Sequence, residues 1–300
     1  MFSGLFLLAG CDRQQQEFGH FDAVWARRGL SDGRFQKPRA IAIDRQDRIY
    51  VVDMTARIQV FDGDGKLLRP PMQTPQWENG KPTGLSTDRH GNLLVADTHY
   101  YRVLFYAPDG TLLKDRTLGG TMGNGPGEFG LVTDVAEDSQ GNIYVGEYGE
   151  YDRIQKFSEE GKFLLQWGGH GEAPGQFVRP QSIVIDRQDR IWVADACNHR
   201  IQVFDTEGKL LWFWGTPGDQ PGELDYPYDL VVDDHAVYVV EYGNHRVQKF
   251  TQRGKPLGVW GSVGRWPGQL HNPWGLVQDH QGRLYVLDTM NHRVQRIGGG

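Results

Sequence analysis

The chain has 300 residues, 12% of them aromatic and 40 of them glycine, with a formal net charge of −6. It is long enough to bury a large core, and it has no apolar run near the roughly 20 residues that a membrane helix needs. An acidic balance without a basic stripe argues against nucleic acid as a partner, and two cysteines, Cys11 and Cys197, cannot form a disulfide framework.

The first segment, residues 5–11, reads Leu-Phe-Leu-Leu-Ala-Gly-Cys. It is an apolar stretch closing on small residues, as in secretory signals. Leu8-Ala9-Gly10-Cys11 resembles the bacterial lipobox, in which two small residues suit a narrow peptidase pocket and the Cys thiol is acylated. The resemblance implies a signal segment over 1–11, a polar tether over 12–20 and a folded domain over 21–300. Cys11 is then the lipid attachment site of a protein anchored outside the cytoplasm, on the periplasmic face of a bacterial membrane. Asp12 resembles the inner-membrane retention signal of enteric lipoproteins. Residues 1–4 carry no Lys or Arg, a departure from the signal pattern that a start site farther upstream accounts for.

Phe21 to Trp25, followed by Gly29 to Phe35, matches a later stretch, Leu211 to Trp214 followed by Gly218 to Leu224. From residue 38 one pattern recurs, most fully from Pro180 to Phe204: Pro-x-x-Ile-x-x-Asp, a turn, Ile-Trp-Val-Ala-Asp, a loop, then Asn-His-Arg-Ile-Gln-Val-Phe. Its Arg returns at Arg57, Arg102, Arg153, Arg200, Arg246 and Arg293, spaced 45 to 51 residues apart, the period of propeller blades. Short apolar runs such as Ile49 to Val52, Leu93 to Ala96 and Leu284 to Leu287 suit strands buried on both faces. Turns stand at fixed offsets, at Asp64-Gly65, Asp109-Gly110, Glu160-Gly161, Glu207-Gly208 and Arg253-Gly254, where Gly supplies the positive φ of tight hairpins. Each repeat therefore makes four strands, A to D from the axis outward. Trp167, Trp214 and Trp260 close the outer strands, where diverging blades leave the widest gap. The sixth repeat ends at Ile297 without a strand D, and the Trp25 segment is the piece missing from it. The expected fold is all-β, a six-bladed β-propeller of four antiparallel strands per blade, its last blade closed by the N-terminal strand.

The stretch Asp195 to Phe204, with Asn198-His199-Arg200-Ile201-Gln202, resembles the NHL repeat family, and so does Glu241 to Phe250. The resemblance spans residues 21–297. It implies the propeller fold and, most often, an interaction scaffold.

Strand alternation puts the D–A and B–C loops on one face, around the central hollow where propellers bind ligands. The residues that break the repeat there are Arg39, Gln181, Tyr228 and Trp274 at the starts of A strands, and Asp134 and Asp229 one step further in. Tyr100, Tyr101, Tyr148 and Tyr242 form an aromatic rim, and aromatic and Arg side chains are typical binding anchors. The acids Asp53, Asp97, Glu147, Asp195, Glu241 and Asp288 end strand B in every repeat and read as structural partners of the recurrent Arg. The His of the His-Arg pairs at 199, 245 and 292 sit on separate blades, too far apart to ligate one metal. No metal, cofactor or catalytic residue is expected, and the chain reads as a monomeric, non-enzymatic binding scaffold for a protein or glycan partner.

The alternative is a propeller enzyme, a lactonase- or esterase-like hydrolase or a lyase, with an axial site near Asp134 and Asp229. NHL-like peptide amidating lyases carry metal-binding His at the A-strand starts. The corresponding residues here, Arg39, Thr83, Gln181, Tyr228 and Trp274, include none.

Overall fold

A computed structural model of the protein describes residues 17–299; Cys11 and the expected signal and anchor segment lie outside these residues. The described chain forms six antiparallel four-stranded sheets arranged as blades around one axis. Blade 4 shows the plan, with strand A at Pro180–Ile185, B at Ile191–Asp195, C at Arg200–Phe204 and D at Leu210–Trp214. Strand A of each blade packs against strand A of its neighbours and lines the axis.

Apolar residues alternate too little to leave a wet sheet face, because each blade is covered on both sides. The buried clusters lie between blades rather than within them. One joins blades 3 and 4 through Ala136, Tyr144, Ile154, Ile183, Val193 and Phe204. Another joins blade 6 to blade 1 through Trp25, Phe35, Ile41, Phe61, Tyr285 and Val294. The N-terminal strand, His20–Trp25, pairs with Arg293–Gly298 and ends with Trp25 opposite Val294. It is strand D of blade 6, as the missing strand of the last repeat demands.

Trp25, Trp167 and Trp214 each pack on the hairpin glycine of the next blade. A Cβ on Gly65 would stand 2.3 Å from the Trp25 ring, one on Gly208 2.7 Å from Trp167, and one on Gly254 2.4 Å from Trp214. These glycines also hold φ of +82°, +76° and +81°, so one residue meets two demands, positive φ and close approach. Blades 1 and 2 depart from the plan. Their D strands shrink to Met72–Gln73 and Leu118–Gly119. In blade 1, Pro70-Pro71 removes two N–H donors just ahead of the pairing. In blade 2, a 3₁₀ turn at Lys114–Arg116 occupies the approach.

Candidate functional site

The recurrent acid and Arg of each blade hold the loops in place. Arg200 donates Nε–H to Asp195 Oδ2 at 2.7 Å and its remaining N–H groups to the carbonyls of Glu172, Ala173 and Gln176 in the D–A loop. Gln202, fully buried, donates to Asp195 and to the Gln176 carbonyl. The same pairing recurs at Asp97 and Arg102, Glu147 and Arg153, Glu241 and Arg246, and Asp288 and Arg293. In blade 1 the pair is longer, 3.5 Å between Arg57 and Asp53. The repeat His residues serve the same framework. His199, His245 and His292 each accept, through Nδ1, the backbone N–H of Tyr226, Asn272 and Lys37 at the start of the following blade. Among the described residues no three His, Cys, Asp or Glu side chains converge to hold a metal ion.

With the loops so pinned, the starts of the A strands converge on one mouth of about 200 Å³ on the D–A and B–C face. Arg39, Gln181, Trp274 and Tyr148 line it, together with Lys81, His99 and Arg179. Aromatic rings form one wall. Tyr228 stacks on Tyr242 with centroids 4.5 Å apart, and Trp274 meets Tyr228 edge-on at 5.1 Å. The guanidinium of Arg39 lies 5.6 Å over Trp274, and that of Arg179 lies over both Tyr148 at 5.1 Å and Tyr228 at 5.3 Å, the arrangement of cation–π contacts. Gln181, buried, accepts Arg179 Nε–H at 2.9 Å.

Charge at the mouth is one-sided. Arg39, Lys81 and Arg179 make no ion pair among the described residues, unlike the blade arginines Arg102, Arg153 and Arg200. Burial lowers the pKa of Arg39, with the Arg179 charge adding to the effect and Tyr148 opposing it. Partial burial also lowers the pKa of His99, helped by Lys81 and Arg39. The Tyr228 phenol is pushed up to about 12 by burial.

Below the mouth the axis widens into a channel of about 430 Å³. Asp134 and Asp229 line it, but their acceptor sites are largely spoken for. Asp134 Oδ2 accepts the Ile183 N–H of blade 4 at 2.9 Å. Asp229 Oδ2 accepts the Leu276 N–H of blade 6 at 2.8 Å, and its Oδ1 accepts the Ser182 hydroxyl of blade 4 at 2.7 Å. Strand A is the inner edge of each sheet, with N–H groups that no further strand can pair. The two carboxyls satisfy some of them and lace blades 3 to 6 together. Burial raises the pKa of both, to about 6 for Asp229 and well above the usual range for Asp134, where the Asp229 charge adds to the effect.

The structure thus brings Arg39, Tyr148, Gln181, Tyr228, Tyr242 and Trp274 together, with Asp134 and Asp229 beneath them. Tyr100 and Tyr101 are placed elsewhere. Tyr100 lies under the Arg102 guanidinium at 4.8 Å and donates its hydroxyl to the Gln76 carbonyl. Tyr101 holds a left-handed φ of +53° and packs between blades 2 and 3. The B–C loop residue that reaches the mouth there is His99, two steps after the strand-B acid, whereas Tyr100 occupies the place of Asn198. Lys81 and Arg179 precede the A-strand prolines, two residues upstream of the axial positions. That offset within the repeat is the signal that could have found them.

Comparison with known proteins agrees with the fold. The NHL repeat profile matches residues 177–204, 224–250 and 270–297. Peptidylglycine alpha-amidating monooxygenase of Rattus norvegicus is 33% identical over 194 residues, covering 61% of this chain and 18% of the relative. NHL repeat-containing protein 3 of Mus musculus is 30% identical over 174 residues, covering 53% and 49%. The chain therefore spans under a fifth of the rat relative and about half of the mouse one. Among solved structures, a streptogramin B lyase superimposes with a TM-score of 0.65 at 14% identity, covering 91% of this chain and 96% of that one. A catalytically inactive virginiamycin B lyase from Staphylococcus aureus gives 0.63 at 15% identity, covering 92% and 88%. At such identities the likeness speaks for the fold. The chain is a six-bladed β-propeller built from NHL repeats.

Proposed function

We propose that this propeller is a non-enzymatic binding module whose axial mouth takes an anionic group carried by a protein or glycan partner. The observation that carries the reading is the set of three cations, Arg39, Lys81 and Arg179, held without counter-charge among the described residues beside the rings of Tyr148, Tyr228 and Trp274. A cation already desolvated by its neighbours loses little more on meeting an anion, and each such contact is a strong, charge-assisted hydrogen bond. Tyr and Trp add buried area at low entropic cost. The module is anchored outside the cytoplasm through Cys11, on the strength of the lipobox-like residues 8–11.

The test is titration with an acidic peptide and, separately, an acidic polysaccharide, each compared with a neutral counterpart. Arg39→Ala with Arg179→Ala should weaken binding of the anionic ligand at least about tenfold while the melting temperature stays within a few degrees. Equal affinity for the neutral counterpart would sink the reading. For the anchor, mass spectrometry of membrane-extracted protein should find a modified Cys11 at the N-terminus; an unmodified Cys11 with residues 1–10 attached refutes it.

An enzymatic reading draws on the names of the proteins it resembles, an amidating monooxygenase, a streptogramin B lyase and a virginiamycin B lyase. Against it, Asp134 and Asp229 are engaged by backbone N–H groups of neighbouring blades, and the A-strand starts hold no His. Release of product from a peptidylglycine or from quinupristin by the purified chain would reverse this preference.

A further inference from the structure

In five blades the acid that ends strand B accepts a backbone N–H from the loop leading into strand A of the same blade. The pairs are Asp53 with Gln36, Glu147 with Gly130, Asp195 with Val178, Glu241 with Asp225 and Asp288 with His271. Blade 2 is the exception. Gly80 occupies the corresponding place, but its N–H points to the Gln76 carbonyl at a long 3.3 Å. Asp97 Oδ1, in a fully buried side chain, is left without a partner, a costly state for an acceptor. It is close at hand, because a Cβ built on Gly80 would lie 3.3 Å from it.

The next residue in the loop departs as well. In four blades it has a positive φ and gives its N–H to a side chain of the preceding blade: Lys37 to His292, Arg179 to Asp152, Tyr226 to His199 and Asn272 to His245. The counterpart in blade 2 is Lys81, which does not have a positive φ. Blade 1 offers it Ala56 where blades 3 to 6 offer Asp152 or a His, so no side-chain acceptor stands at that place. The loop over 74–81 is held instead by the Tyr100 hydroxyl on the Gln76 carbonyl at 2.9 Å, by Arg102 on the Pro75 carbonyl at 3.3 Å, and by the Thr74 N–H on the Ala56 carbonyl at 3.2 Å. Trp77 at its crest is 48% exposed.

We propose that the segment 74–81 is a gate over the axial mouth, alternating between the arrangement described above and a docked one. In the docked form the Gly80 N–H donates to Asp97 Oδ1, and Lys81 takes the left-handed conformation of its counterparts. Its ammonium then closes on Arg39 and Arg179, an approach that like charges resist unless an anion sits between them. Docking is therefore coupled to anion binding, because the ligand relieves the repulsion that opposes it. The coupling rests on the anion-binding reading of the mouth; the two alternative arrangements of the loop do not.

Hydrogen exchange measured by mass spectrometry on the folded chain, with inorganic phosphate as the probe, tests both parts. Without phosphate, amides of 76–81 should exchange on the order of 100-fold faster than the matching amides of 174–179 and 221–226. Phosphate should slow 76–81 about tenfold and leave the other loops unchanged. Tyr100→Phe removes the bond that holds the open form, so it should slow 76–81 without phosphate. Equal protection of all three loops, or no response to Tyr100→Phe, overturns the gate. If calorimetry detects no phosphate binding while Tyr100→Phe still slows the loop, the gate stands and the anion reading of the mouth falls. If phosphate binds and 76–81 does not respond, the mouth stands and the coupling of the gate to the anion falls.

Discussion

Asp134 and Asp229 show how a residue that breaks a repeat can be structural. Each stands where other blades carry Ala40, Gly84, Ser182 or Gly275, and each supplies an acceptor to an inner-edge N–H of a neighbouring blade. Their raised pKa values mean that the folded protein holds these protons to higher pH than the unfolded chain does. For Asp229 the associated stability is fully present below about pH 4 and is lost as pH rises through about 6. For Asp229, a rise from 3.8 to about 6 is worth at most about 3 kcal/mol. Wild-type protein should therefore lose stability between pH 5 and pH 8. Asp134→Asn, which removes one of two facing carboxyls, should lose less. Urea denaturation at the two pH values checks this, and parallel losses in both proteins would show that the pair does not titrate as argued. The blade arginines give a second contrast. Arg200→Ala strands the buried Asp195 and three loop carbonyls and should cost about 3–5 kcal/mol. Arg187, 81% exposed and paired with Asp234, should cost under about 0.5 kcal/mol on the same change.

At the scale of the strand and its hairpin, glycine and tryptophan act as a unit across two blades. Gly65 and Gly175 both have positive φ, +82° and +86°, but only Gly65 has a ring against it. Alanine at Gly175 meets open space and should cost about 1–2 kcal/mol for the left-handed backbone alone. Alanine at Gly65 must also displace Trp25 from the seam between blades 6 and 1, and should cost at least about 2 kcal/mol more. Chemical denaturation of the two variants measures the difference, and equal costs would mean that Trp25 can move aside freely. The short outer strands of blades 1 and 2 follow from local chemistry of another kind. Two prolines in one blade and a 3₁₀ turn in the other take away the donors or the direction that a full strand D requires.

The whole ring depends on its last seam. Strand His20–Trp25 closes blade 6, and Trp25 joins the cluster that ties that blade to blade 1. A variant lacking residues 17–25 should melt at least about 5 °C lower. It should also expose the edge of Arg293–Gly298, so that it associates more readily than the full chain does. Calorimetry and light scattering would record both effects; unchanged melting would mean that the ring closes without this strand.

Blade number, strand count and the N-terminal closure were legible from the sequence because the repeat carries its own punctuation: an Arg near every 47 residues, hairpin glycines at fixed offsets, and a strand missing at one end and present at the other. The candidate mouth was legible only in part. Arg39, Gln181, Tyr228 and Trp274 announce themselves by breaking the pattern at axial positions. Tyr100 and Tyr101 break it as well, yet one lies against Arg102 and the other between two blades. Repetition specifies which loop a residue belongs to, whereas the direction of its side chain depends on the hydrogen bonds that shape that loop. Those bonds run between neighbouring blades, from Arg179 to Asp152 across 27 residues or from Lys37 to His292 across 255. The meeting of Lys81, His99, Arg39 and Arg179 at one mouth, and the orphaned acceptor on Asp97 beside them, were therefore decided by closure of the ring, which sets side by side residues that no local pattern relates.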